Sequence, residues 1–226
     1  MRRAEIVANL ADVRARIANA CERSGRAPSD ITLIAVTKTW PVEDVRILRD
    51  LGILDVGENR DQEAQPKARA FNVTDGRNLR WHFIGQLQSN KAKSVAQYAH
   101  MVHTVDRPSL AAALAKATQG PLDCLLQLSV DGDVARGGAV AADLLALADS
   151  LPSPLQLRGI MAVAPLGMDP ALAFARVREV HEQLLQAHPR ATIRCIGMSE
   201  DFDTAIEFGA THIRVGSAIL GHRTVA

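Results

Sequence analysis

The stretch ITLIAVTK, Ile31 to Lys38, is an apolar, β-branched run that ends on a charged amine. Side chains alternate along a strand, so Thr32, Ile34, Val36 and Lys38 share one face. A run this apolar, four to eight residues long, fits a strand of a parallel sheet covered on both sides.

Working outward, the same unit recurs. ILDVGEN (Ile53–Asn59), WHFIG (Trp81–Gly85), MVHTVD (Met101–Asp106) and LDCLLQLSV (Leu122–Val130) follow, then LQLRGIMAV (Leu155–Val163), TIRCIG (Thr192–Gly197) and THIRVG (Thr211–Gly216). Helical segments separate them, which is the pattern of parallel strands joined by crossover helices. With the first run they number about eight, enough to close a barrel. An open doubly wound sheet would place a glycine fingerprint after its first strand, and here Thr37, Lys38, Thr39 and Trp40 fill that turn. The expected fold is therefore α/β: a single (β/α)8 TIM barrel over residues 1–226. A typical barrel takes about 250 residues, so 226 leave no room for a sizeable second domain. Ahead of it, Ile6, Leu10, Val13, Ile17 and Cys21 recur at three- and four-residue steps and mark an extra amphipathic N-terminal helix.

Composition narrows the function. Lys plus Arg number 26 against 25 Asp plus Glu, so no overall field draws the molecule to nucleic acid or an anionic membrane, and a small anionic ligand would need a local site. The first twenty residues are broken by charges every few positions, unlike a secretory signal or a membrane span. Cys21, Cys124 and Cys195 are far apart and set no disulfide framework, which fits a reducing cytoplasm.

The unusual polar residues fall at the carboxyl ends of the strands, where barrel active sites are built. Lys38 pointing into the barrel mouth would be partly desolvated, which favours the neutral amine able to attack an aldehyde; the alternative is a lysine that extends into water. Asn59 ends the second strand on the side opposite Val56, where it could hydrogen-bond a ligand or simply close a turn. GMSED (Gly197–Asp201) and RVGSAILG (Arg214–Gly221) lead the last two strands into helices, at the usual phosphate position of a barrel. Gly197 and Gly216 would allow close backbone approach, and Ser199 and Ser217 would add hydroxyls beside helix-start amides. Both serines also suit plain helix caps, and Glu200 and Asp201 would repel a phosphate held near their side chains. Arg214 lies in a run that should be buried, so it needs an acceptor: a ligand nitrogen, a carboxylate or an internal ion pair. Met161 reads as a packing wall. His100 and His103 lack a carboxylate ligand set and make no convincing metal site. Arg136, Gly137 and Gly138 suggest a mobile loop able to reach over the mouth.

Taken together, AVTK, VGEN, WHFIGQLQSNK, RGIMAV, GMSED and IRVGSAILG resemble the pyridoxal phosphate homeostasis proteins, the YggS/PROSC family, from about Ile6 to Arg223. That family is similar to the N-terminal barrel of alanine racemase. The resemblance implies pyridoxal 5'-phosphate (PLP) held as a Schiff base on Lys38, with Asn59 and Met161 lining the ring. It also implies Ser199, Gly216 and Ser217 on the phosphate, and Arg214 facing the pyridine nitrogen. Arg60, where the family usually has an aromatic residue, and Arg136, where it has a lysine, depart from the pattern and bear on ligand exchange.

Two functions follow as expectations. The first is a cofactor-binding protein of intracellular PLP homeostasis, without turnover, with PLP-dependent apoenzymes as partners and expected to be monomeric. The alternative is a PLP-dependent amino-acid racemase or decarboxylase. Racemisation needs proton donors on both faces of the substrate, and the sole tyrosine, Tyr98, falls in an outer helical segment.

Overall fold

A computed structural model of the chain describes residues 1–71 and 78–221; Arg223, the end of the stretch of resemblance, lies outside them. Eight parallel strands close a barrel in sequence order. They are β1 (Thr32–Val36), β2 (Asp55–Glu58), β3 (Arg80–Phe83), β4 (Met101–Val105), β5 (Leu122–Leu128), β6 (Leu155–Ala162), β7 (Ile193–Cys195) and β8 (His212–Val215). Each lies within the corresponding apolar run or starts one residue before it, and most stop short of its polar end. The ring closes where β1 pairs with β8, Ile34 opposite Arg214.

The helices are α1 (Arg2–Arg23), α2 (Val42–Asp50), α3 (Asp61–Ala70), α4 (Ala92–Val95), α5 (Pro108–Ala117), α6 (Ala141–Asp149), α7 (Pro170–Ala187), α8 (Phe202–Glu207) and α9 (Ser217–Leu220). The stripe of α1 is buried as its spacing requires, with Ile6, Leu10, Val13, Ile17 and Cys21 all in the core. Burying each of the larger ones contributes roughly 1.5–3 kcal/mol, enough to seat the helix against α8 and α9.

Inside the ring, Ile34, Met101, Leu125, Met161 and Cys195 form an apolar layer. Gly57 makes that layer possible, since a Cβ there would sit 3.1 Å from both Ile34 and Ile84. Toward the amino-terminal rim the interior turns polar. His82 Nε2 donates to Asp55 Oδ1 at 2.9 Å, and His82 Nδ1 lies 2.9 Å from His103 Nε2. Burial pushes the Asp55 carboxyl up, but His82 and Arg80 outweigh it and hold it well below the usual carboxylate range. Burial drives His103 far down, so it is neutral.

Candidate functional site

At the carboxyl-terminal rim a cavity of about 350 Å³ opens between the ends of β1, β7 and β8. Its walls are Val36, Lys38, Met198, Ser199, Glu200, Asp201, Arg214, Gly216 and Ser217. Of the residues singled out in the sequence, Lys38, Ser199, Arg214, Gly216 and Ser217 therefore meet around one space. Asn59 and Met161 are not among its walls. Met161 packs in the apolar layer beneath, only 2% exposed, as a packing residue should. Asn59 sits in the bend after β2, and its buried Oδ1 has no hydrogen-bond partner.

Lys38 departs from expectation in one respect. β1 ends at Val36, so Lys38 stands in the turn beyond it, and its side chain is exposed where partial desolvation was expected. Alternation nevertheless carries through the turn, because Val36 and Lys38 both face the cavity.

The turn itself is built by β2 and α3. Lys67 Nζ donates to the Thr37 carbonyl at 2.8 Å and to Glu58 Oε1 at 2.7 Å, while Thr37 Oγ1 donates to the same carboxylate oxygen at 2.6 Å. All three residues are buried. Burial pushes the Glu58 carboxyl up from its ordinary value, with Lys67 opposing that shift. One residue past Lys38, Thr39 has φ of 66°, a left-handed conformation unusual for a β-branched residue. Its amide donates to Glu63 Oε2 at 2.8 Å. Sequence reasoning passed over Glu58, Glu63 and Lys67; the only signal available was the four-residue step between Glu63 and Lys67, which sets both on one helix face.

Arg214 is 4% exposed, and its partners within the protein are main-chain carbonyls and a thiol where a carboxylate was one expected acceptor. Nη1 donates to the Cys195 carbonyl at 2.7 Å and contacts Cys195 Sγ at 3.1 Å, and Nη2 donates to the Ala162 carbonyl at 2.9 Å. Among the described residues, strand-end carbonyls and the Cys195 sulfur hold the guanidinium, with no carboxylate bonded to it.

The two glycine–serine turns lock together through Ser199. Its Oγ accepts from the amides of Gly216 and Ala218, both at 3.3 Å, across the first turn of α9. These are long bonds, near the limit of useful geometry. Arg16 of α1 donates to the Ser199 carbonyl at 3.2 Å and pairs with Asp203. Gly197 serves helix packing: at φ 88°, a Cβ would lie 2.6 Å from Ala205 Cβ and 2.9 Å from Phe202 Cα. Asp201 faces inward to cap its own turn, accepting from the Met198 amide at 2.6 Å.

Elsewhere on the rim, the segment carrying Arg136, Gly137 and Gly138 is more tied down than its glycines suggest. Arg136 pairs with Asp131 and Asp133, and the Gly138 amide donates to Asp106 Oδ2 at 3.2 Å. Tyr98 lies in the turn after α4, its hydroxyl donating to Asp61 Oδ1 at 3.3 Å on the outer side of the barrel.

Comparison with known proteins accords with this arrangement. Residues 8–224 match the profile of the alanine racemase N-terminal domain. The pyridoxal phosphate homeostasis protein of Mycobacterium leprae is 39% identical over 97% of this chain and 93% of its own length. That of Corynebacterium glutamicum is 40% identical over 95% of this chain and 100% of its own. Among solved structures, PipY of Synechococcus elongatus, with PLP bound, superposes with a TM-score of 0.82 at 34% identity, covering 96% of this chain and 100% of that one. A closed parallel barrel, a lysine and an arginine at one rim cavity, and near full-length identity of this order lead to one conclusion: the chain belongs to the alanine racemase N-terminal domain family, in its pyridoxal phosphate homeostasis branch.

Proposed function

We propose that this protein binds PLP at the carboxyl-terminal rim, bonded through Lys38, and serves PLP homeostasis by storing the cofactor and passing it on without turning over a substrate. The observation that carries the reading is the single cavity shared by Lys38, Arg214 and the Ser199–Gly216–Ser217 turns. The relatives named for PLP homeostasis, and the PLP complex of PipY, support it.

The residues present fit the group. Lys38 offers an exposed amine, the turns offer amides and hydroxyls suited to a phosphate, and Asn59 keeps a buried carbonyl oxygen without a partner. When bound, PLP supplies an aldehyde that bonds amines and a ring able to delocalise a carbanion. Ser199, Gly216 and Ser217 would hold the phosphate. Asn59 and Met161 would support the ring from the barrel side. Arg214 would face the ring nitrogen; a guanidinium does not give up a proton, so it leaves that nitrogen unprotonated and weakens the electron sink. With Tyr98 engaged by Asp61 on the outer side, a tyrosine proton donor for racemisation is not at hand. These features favour storage over racemase or decarboxylase chemistry.

The partners we infer are PLP-dependent apoenzymes, met by a monomer consisting of one barrel unit. The setting we infer is the cytoplasm, in keeping with the free, buried thiols of Cys21, Cys124 and Cys195. Among the described residues no helix is long and apolar enough to cross a membrane.

The test is direct. Purified protein mixed with PLP should develop visible absorption, and borohydride trapping followed by peptide mapping should label Lys38. A label on another lysine rejects the linkage, and sustained racemisation or decarboxylation across an amino-acid panel rejects storage without turnover.

A further inference from the structure

We propose that Glu63 of α3 is a positioning residue for Lys38, holding the turn that aims the amine into the rim cavity; this rests on the reading of Lys38 as the PLP-bonding lysine. Lys38 stands exposed in the turn beyond β1, at the wall of the cavity. The backbone on either side sets where the amine starts from, and both flanking residues are gripped from outside the turn. Before Lys38, the Thr37 carbonyl takes the Lys67 ammonium and the Thr37 hydroxyl takes Glu58. After it, the Thr39 amide is taken by the Glu63 carboxylate.

Both arms on the helix side spring from one surface of α3, since Glu63 and Lys67 are four residues apart. That helix is itself fixed. Ala68 packs with Val45, Val56, Leu79 and Trp81, and Asp61 at its first turn accepts from Ser94 Oγ at 2.8 Å. The grip on Thr39 matters most, because its φ of 66° is a conformation a β-branched residue leaves readily unless its surroundings impose it. The Glu63 bond to its amide is such an imposition. Weakening it loosens the turn and with it the position of the Lys38 Cα.

The consequence is kinetic. The neutral Lys38 Nζ adds to the aldehyde carbon, a C=N bond replaces the C=O bond, and the oxygen leaves as water with the two protons that the nitrogen gives up; the rate depends on how often the amine stands within reach. Glu63 touches none of the reacting atoms and would act only through the Thr39 amide.

The experiment uses the full chain and PLP itself. Growth of the visible band after mixing is followed for the wild type, Glu63→Ala and Glu63→Gln, with borohydride-trapped peptides mapped for each. Glu63→Ala should capture PLP about tenfold more slowly, with the label still on Lys38, and Glu63→Gln, whose amide oxygen can still accept from Thr39, should capture within about twofold of wild type. Glu63 lies at the surface edge of α3, so melting temperatures should agree within about 3 °C, and Glu63→Gln serves as the folded control. Wild-type rate in Glu63→Ala overturns the proposal, and so does a Glu63→Gln protein as slow as Glu63→Ala. A wild-type label away from Lys38 would instead overturn the linkage on which the proposal rests.

Discussion

Arg214 of β8 reaches across β7 to the carbonyl of Ala162 on β6, a 2.9 Å bond that ties three neighbouring strand ends at the rim. One side chain thus joins the frame of the barrel to the wall of the cavity. Arg214→Met should remove the donor from two carbonyls and take the charge from the cavity. We expect a loss of about 1–3 kcal/mol in urea unfolding, together with weaker PLP binding in a spectrophotometric titration. Unfolding unchanged from wild type would show that the strand tie is dispensable.

Ser199 links the two turns through its hydroxyl, accepting from the Gly216 and Ala218 amides. Ser199→Ala should cost about 1 kcal/mol of stability, as expected for the loss of a cap. Binding of PLP, and competition by inorganic phosphate, should both weaken by about tenfold, near 1.4 kcal/mol. If phosphate competes equally well against both proteins, the anion is held elsewhere.

His181 gives a pH dependence of defined sign. Its Nε2 donates to the Ala191 carbonyl at 2.7 Å and its Nδ1 accepts from Arg194 Nε at 3.1 Å, so the folded site admits only the neutral ring. Burial, aided by the Arg194 charge, lowers its pKa from 6.5 to about 4. Between those values the unfolded chain binds the proton and the folded chain does not, so stability falls as pH drops through this window. The loss should approach the order of 3 kcal/mol once pH is below both values. Imidazole chemical shifts should show His181 remaining neutral through pH 5; titration near 6.5 would contradict the assigned tautomer.

Gly197 tests what its glycine is for. Gly197→Ala would force a left-handed alanine against Phe202 and Ala205, both in α8. We expect destabilisation of about 2–4 kcal/mol in urea unfolding, since the clash is with helix backbone as well as a side chain. A loss below about 1 kcal/mol would mean that α8 can shift to accommodate the methyl group.

The barrel was legible because its strands announce themselves as apolar runs ending in polar residues, and ITLIAVTK shows where that legibility stops. Apolar content located β1, and alternation put Val36 and Lys38 on the cavity side. It could not say that the ladder stops at Val36 and leaves Lys38 in a solvent-facing turn, because strand length depends on pairing with β2 and β8. Arg214 illustrates the complementary gap: its burial could be read from Ile213 and Val215 beside it, but its acceptors are main-chain carbonyls, which every residue carries and no sequence distinguishes. The grip of α3 on the Lys38 turn was hidden for a related reason. Thr37 and Glu58 meet only because parallel neighbours β1 and β2 bring their ends together, and Lys67 reaches them from a helix that looks merely polar when read alone. Gly197 could be noticed as a glycine, but that its space is taken by Phe202 and Ala205 of α8 depends on how that helix packs.

The N-terminal helix carries more than apolar cover. Arg2 donates to the Leu220 carbonyl at 3.0 Å, Asn9 to the Ile219 carbonyl at 2.9 Å, and Arg16 to that of Ser199, so a segment outside the βα repeat buttons both glycine–serine corners from behind. Trimming the first two turns of this helix in an expression clone would therefore unfasten α9 while sparing every cavity-lining side chain. Such a protein would keep the cavity lining and lose its rear support.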